Sequence, residues 1–122
     1  MSPFGEPLET ATVLVNRRRY DRVPLFCPAR LQGPTGNPVA QGHCVDISLG
    51  GCCIVSTRAV PTGHVVRSFF SLNVSGSTCV ESAIGRVVRC RLEGEGWTLG
   101  IEFLAPLDEE NVPHLAARIR SA

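Results

Sequence analysis

A chain of 122 residues and 13.1 kDa holds one ordinary domain with a modest core, not two domains. With 43% apolar and 19% charged residues, a packed globular protein is expected rather than a disordered one. Twelve basic against eleven acidic residues leave a formal charge of +1, which excludes a protein that coats nucleic acid by bulk charge. No apolar run reaches the roughly 18 residues that span a bilayer. Met1 to Glu9 lacks the basic start and apolar stretch of a secretory signal. A small, soluble, cytoplasmic domain is therefore expected.

In chain order, residues 1–16 read as a flexible lead-in, with a short extended stretch at Ala11–Val15. Arg17, Arg18, Arg19 and Arg22 follow as a dense cluster, and every basic residue of the chain is Arg. Residues 17–122 read as a single domain. Leu25, Cys27, Ala29 and Leu31 alternate as on a strand, and Pro28 there suggests an edge or a bulge. Gly33 to Pro38 is a turn by composition. Val39 to Ile47 alternates again, placing Val39, Gln41, His43, Val45 and Ile47 on one face. Ser48-Leu49-Gly50-Gly51 interrupts the pattern, and Cys52 to Val55 resumes it as a short buried strand.

Pro61-Thr62-Gly63 marks the next turn. Val65–Val74 reads as a strand, Ser75-Gly76-Ser77 as a tight hairpin, and Thr78–Leu92 as a long strand with a bulge or bend at Gly85. Glu93 to Gly96 turns the chain into a last strand, Trp97–Leu104. Val112, Leu115, Ala116 and Ile119 then recur at helical spacing. Asp108, Glu109 and Glu110 suit a positive helix start, Pro113 belongs in the first turn, and Asn111 is the expected cap. Regular short strands with turns between them favour a small closed barrel over a layered α/β fold.

Six cysteines invite a disulfide or metal reading. None has the two-residue gap of a zinc knuckle or a His at ligand spacing, so small apolar strand fillers are expected, with no metal and no cofactor. Cys52 and Cys53, being adjacent, point to opposite faces.

Two segments carry chemistry. In Arg17-Arg18-Arg19-Tyr20-Asp21-Arg22, like charges repel unless an anion is near. Arg forks fit phosphate oxygens and the O6 and N7 acceptors of guanine bidentately. In Asp46-Ile47-Ser48-Leu49-Gly50-Gly51, Asp46 and Ser48 sit two apart and are expected to point the same way. A carboxylate suits the N1–H and N2–H₂ donors of guanine, and Gly50 and Gly51 permit close approach of a ligand. A guanine nucleotide with accessible phosphates satisfies both segments.

These residues resemble the PilZ domain family. Arg18-Arg19-Tyr20-Asp21-Arg22 matches its Arg-x-x-x-Arg motif. Asp46, Ser48 and Gly51 match its Asp/Asn-x-Ser-x-x-Gly motif. Gly100-Ile101-Glu102-Phe103 is similar to the Gly-aliphatic-x-Phe stretch of its last barrel strand. The resemblance implies a six-stranded antiparallel β-barrel with a C-terminal α-helix, and binding of cyclic di-GMP, a bacterial second messenger. It assigns phosphates and guanine acceptor edges to Arg18 and Arg22, guanine donors to Asp46 and Ser48, and a tight turn to Gly51. Arg17, just before the first motif arginine, implies a stacked pair of ligands. The implied ligand-binding set is Arg17, Arg18, Arg22, Asp46, Ser48, Gly50, Gly51 and Gly100.

The implied mechanism is an ordering of the Arg segment over the ligand, read by a protein effector, in a monomer or weak homodimer. Three other classes are weaker. A nucleotide hydrolase needs paired carboxylates or a His-rich cluster, which the spacing does not offer. A single-strand nucleic-acid binder needs aromatic platforms on a basic groove, but the aromatics fall mostly in strand-core phase. A PilZ-like interaction domain that binds no nucleotide would have no need of intact motifs.

Overall fold

The computed structural model describes residues 20–121. The elements are β1 (Val23–Gln32), β2 (Pro38–Ile47), β3 (Gly51–Ser56), β4 (Val65–Val74), β5 (Ser77–Glu93), β6 (Gly96–Phe103) and α1 (Pro113–Arg120). Every strand pairing is antiparallel, and the ring closes in the order β1-β2-β3-β6-β5-β4. The expected barrel with a C-terminal helix is the observed fold. Among the described residues no helix is long and apolar enough to cross a membrane.

β1 shows how the core is specified. Val23, Leu25, Cys27, Ala29 and Leu31 are all buried, and the residues between them are exposed. Pro28 precedes the ladder to β4, which begins at Ala29; β1 there has a neighbour on one side only, where a missing N–H is tolerated. Leu31, Ile54, Phe70, Val87 and Leu99 fill the interior, and Val112 and Leu115 of the helix segment join the same cluster. Each such side chain contributes about 1.5–3 kcal/mol on burial. Aromatic residues are less uniformly inward than expected: Phe70 and Phe103 are buried, but Phe26 is 79% exposed.

The register shifts at four places, two of them between β1 and β2 at Pro24/Cys27 and Leu31/Gln32; the other two break the alternation where it bears on the outer face. In β2, Cys44 pairs with Ile54 and Asp46 with Cys53, leaving Val45 as the extra residue. The single face expected for Val39 to Ile47 is therefore split: Cys44 and Ile47 turn inward, while Gln41 and His43 are exposed. In β5, Val87 pairs with Ile101 and Arg89 with Gly100, leaving Val88 extra. The irregularity expected at Gly85 thus falls three residues later. Gly85 itself stays in register with both Val66 and Phe103. It is required because a Cβ there would lie 2.7 Å from the Glu102 carbonyl oxygen.

The β4–β5 connection is the expected hairpin. Ser75 and Gly76 both take positive φ, 52° and 83°, as a two-residue turn matched to the strand twist requires. The helix start differs from expectation. Val112, not Asn111, is the N-cap, and it offers no side-chain bond. Asn111 instead donates its N–H and its Nδ2 to Asp108, each at 2.8 Å. The free N–H groups of α1 are capped from across the fold. Glu81 of β5 accepts from His114 N and Leu115 N, both at 2.9 Å. A buried carboxylate and a helix N-terminus satisfy one another. Pro113 sits in the first turn as expected.

Candidate functional site

The bulges build a row across the outside of the barrel. Asp46 of β2 pairs with Cys53 of β3, Cys53 with Gly100 of β6, and Gly100 with Arg89 of β5. Without the extra Val45 and Val88, strict alternation could not bring Asp46 and Arg89 to the outer face beside their inward neighbours Cys44 and Val87. The row has an acid at one end, a base at the other and two small residues as its floor. At about 4.8 Å per strand, its end Cα atoms are about 14 Å apart, and both end side chains shorten that span. The Arg89 guanidinium lies over the floor: a Cβ on Gly100 would be 3.2 Å from its Cζ.

The Ser48–Gly51 turn closes the row at the β2–β3 end. Ser48 N donates to Gly51 O at 2.8 Å, and the Ser48 hydroxyl accepts from Gly50 N at 3.1 Å. A serine two residues before an N–H is suited to such a turn. Gly50 O accepts from Phe103 N, and Leu49 O from Leu107 N, both at 2.8 Å, so the turn is stitched to the end of β6 and the segment after it. Sterics demand glycine at Gly51, against backbone, while Gly50 is packed by a side chain. A Cβ on Gly51 would lie 2.3 Å from Ile101 O, and one on Gly50 would lie 2.7 Å from the Tyr20 ring. Ser48 is buried and lies beyond the end of the strand, whereas Asp46 is part-exposed. β2 stops at Ile47, so the strand alternation that paired the two side chains does not extend to Ser48.

Arg22, just before β1, reaches the row. Its Nη1 lies 3.5 Å from Asp46 Oδ1, with both side chains about one-third exposed. At that length and exposure the pair is worth about 0–1 kcal/mol, so it opens readily. Arg22, Ser48, Gly50, Gly51, Arg89 and Gly100 line one open cavity of about 520 Å³, within the size range of small-ligand sites.

The charges meet over Cys53. Burial raises its thiol pKa and the Asp46 carboxylate raises it further, while Arg89 and Arg22 oppose the rise. The inward thiols of Cys27 and Cys44 are quieter still. Hydrogen bonding to Cys44, reinforced by burial, pushes the Cys27 thiol far up. All six cysteines are free, and Cys27, Cys44 and Cys52 belong to the core, as fillers would.

Of the residues singled out from sequence, Arg22, Ser48, Gly50, Gly51 and Gly100 line this cavity; Asp46 does not line it and adjoins it through Arg22. Arg17 and Arg18 lie outside the described residues. Sequence reasoning missed Arg89, whose place depends on the β5–β6 register beyond a bulge, and Tyr20, whose ring rests on Gly50.

The PilZ domain family matches the sequence over residues 16–121. No curated protein matches it. Among solved structures, the inhibitor of motility MotI/DgrA of Bacillus subtilis aligns with a TM-score of 0.67 at 19% identity. The alignment covers 86% of this chain and 51% of that one, so the chain spans about half of that protein's length. The PilZ domain of YcgR from Escherichia coli, solved with c-di-GMP, aligns with a TM-score of 0.61 at 19% identity, covering 86% of this chain and 90% of its own. The PilZ domain of CeSA from a cellulose-synthesizing bacterium gives 0.50 at 19%, covering 82% and 98%. At this identity the structural likenesses establish the fold.

Proposed function

From the premise that the chain belongs to the PilZ domain family, we propose that it is a receptor for cyclic di-GMP that signals to a protein partner. One observation carries the reading: Asp46 and Arg89 are re-aimed onto the same outer face, over a floor of Cys53 and Gly100, with Arg22 at the rim. Guanine has the matching asymmetry. Its N1–H and N2–H₂ edge donates to a carboxylate, and its O6 and N7 edge accepts from an Arg fork. A side-chain-free Gly100 lets a flat base approach the sheet once the Arg89 guanidinium that lies over it swings aside.

In the free protein Arg22 and Asp46 hold each other weakly; the ligand replaces both partners. Arg22 then serves phosphate and a guanine acceptor edge, with Arg18 beside it. Arg89 adds a second fork from the barrel wall. Ser48 acts from beneath, since its hydroxyl is engaged within the turn. Closure of the Arg segment over the nucleotide changes the surface offered to an effector. Arg17 favours two stacked ligands.

Calorimetric titration with cyclic di-GMP tests this. Saturable binding is expected in the wild type, with Arg22→Ala and Asp46→Ala each losing about 1.5–3 kcal/mol, as for hydrogen bonds to charged groups. Absence of binding in the wild type, or undiminished affinity in the double variant, would overturn it.

A further inference from the structure

A second cluster lies where the helix meets β5, and it shares no residue with the nucleotide row. Cys79 and Glu81 are two apart on β5 and project from one face. The start of α1 brings His114 against them. Glu81 Oε2 is 2.8 Å from His114 Nδ1, and Cys79 Sγ is 3.5 Å from the same nitrogen. The three donor atoms all lie within 4.8 Å of one another.

Three chemistries compete for such a trio. A nucleophilic relay needs the thiol and the carboxylate on opposite ring nitrogens of the histidine; here both converge on Nδ1, so the relay fails. A plain Glu81–His114 pair accounts for two residues and leaves the sulfur beside the imidazole unused. A metal ion accounts for all three, because thiolate, imidazole and carboxylate then share one centre.

We propose that Cys79, Glu81 and His114 form a zinc-type divalent metal site that clasps α1 to β5. Zn–S of about 2.3 Å and Zn–N of about 2.0 Å around a tetrahedral centre put sulfur and nitrogen about 3.5 Å apart, as they stand here. The Nδ1–Oε2 contact is a proton-sharing one and opens by about 0.5 Å when a metal replaces that proton. The proton bookkeeping closes: as the ion binds, the thiol releases one proton to solvent and the imidazole N–H passes from Nδ1 to Nε2, which leaves the Nδ1 lone pair for the metal and the ring neutral. The bound ion, one thiolate and one carboxylate then sum to zero charge, which suits a site whose carboxylate is 6% exposed. The helix cap survives, since Leu115 N bonds to Oε1 and His114 N keeps its bond to Oε2. With the His114 side chain 43% exposed, the fourth corner is open to water.

The test uses chelator-treated full-length protein titrated with Co²⁺, then Zn²⁺. One equivalent of Co²⁺ is expected to bind with thiolate-to-cobalt absorption and intense visible bands of a tetrahedral ion, and Zn²⁺ is expected to displace it. Cys79→Ser should abolish the thiolate band, and His114→Gln should weaken Zn²⁺ binding by more than about tenfold, the loss seen even for outer-sphere partners. Both variants leave the Glu81 cap in place, and Cys90→Ser should retain the full signal. No Co²⁺ uptake by the wild type, or an unchanged thiolate band in Cys79→Ser, would overturn the site, whatever the result with nucleotide.

Discussion

β1 and β5 are neighbours once removed in the same barrel, yet they treat their side chains differently. β1 alternates without a break in burial, and all five of its inward residues belong to the core. β5 alternates as far as Val87, then spends Val88 on a bulge and sets Arg89 on the outer face. β2 does the same with Val45 and Asp46. Regular alternation makes the core; interrupted alternation makes the site. Both bulges flank one row of residues, which is what a binding wall needs and a core does not.

The sharpest way to break this contrast is to truncate on each side of it. Phe70→Ala removes a fully buried ring and is expected to cost about 3–5 kcal/mol in chemical denaturation. Arg89→Ala, one strand away but exposed, is expected to change stability by no more than about 0.5 kcal/mol. It is expected to weaken cyclic di-GMP by about 1.5–3 kcal/mol. If Arg89→Ala unfolds the protein as readily as Phe70→Ala, the division of labour is wrong.

Glycines in the row sharpen the comparison further. Gly51→Ala drives a Cβ into backbone at Ile101 O, and an overpacking loss of about 1–3 kcal/mol is expected. Gly100→Ala meets only the movable end and stem of Arg89, so its effect should appear in nucleotide affinity and hardly in the melting temperature. Equal destabilisation by the two substitutions would show that the floor at Gly100 is structural.

The smallest expected effect lies in the approach to α1. Asn111 N–H, then its side-chain amide, lowers the Asp108 pKa below the ordinary 3.8. A lowered folded-state pKa means stability present above the ordinary value and lost as pH falls through the folded value. Acid titration should loosen this turn only below about pH 4, and Asp108→Asn should flatten that response. An acid transition unchanged in Asp108→Asn would assign it elsewhere.

Much of the fold was legible because local signals agreed with it. The β1 alternation, the Ser75-Gly76 hairpin and Pro113 at the helix start all stand where the pattern put them. Half of the row was legible too: Asp46 came from its motif and Gly100 from its strand. Arg89 was not, because a residue's face after a bulge depends on which partner residue is skipped, and that is decided between strands. Val45 misled for the same reason. The capping of α1 was illegible in principle, since Glu81 lies 33 residues before His114 and no local signal announces a cap supplied by packing. Asn111 looked like the cap because it has the right side chain, but Asp108 engages it first.

Amide spectra of isotope-labelled protein during titration with cyclic di-GMP test the outer row most directly. Binding there should move the signals of Gly51, Cys53, Arg89 and Gly100 together, while Ala29, Ser68 and Phe70 on the β1–β4 wall stay in place. Shifts confined to the β1–β4 wall, with those four signals unmoved, would contradict it.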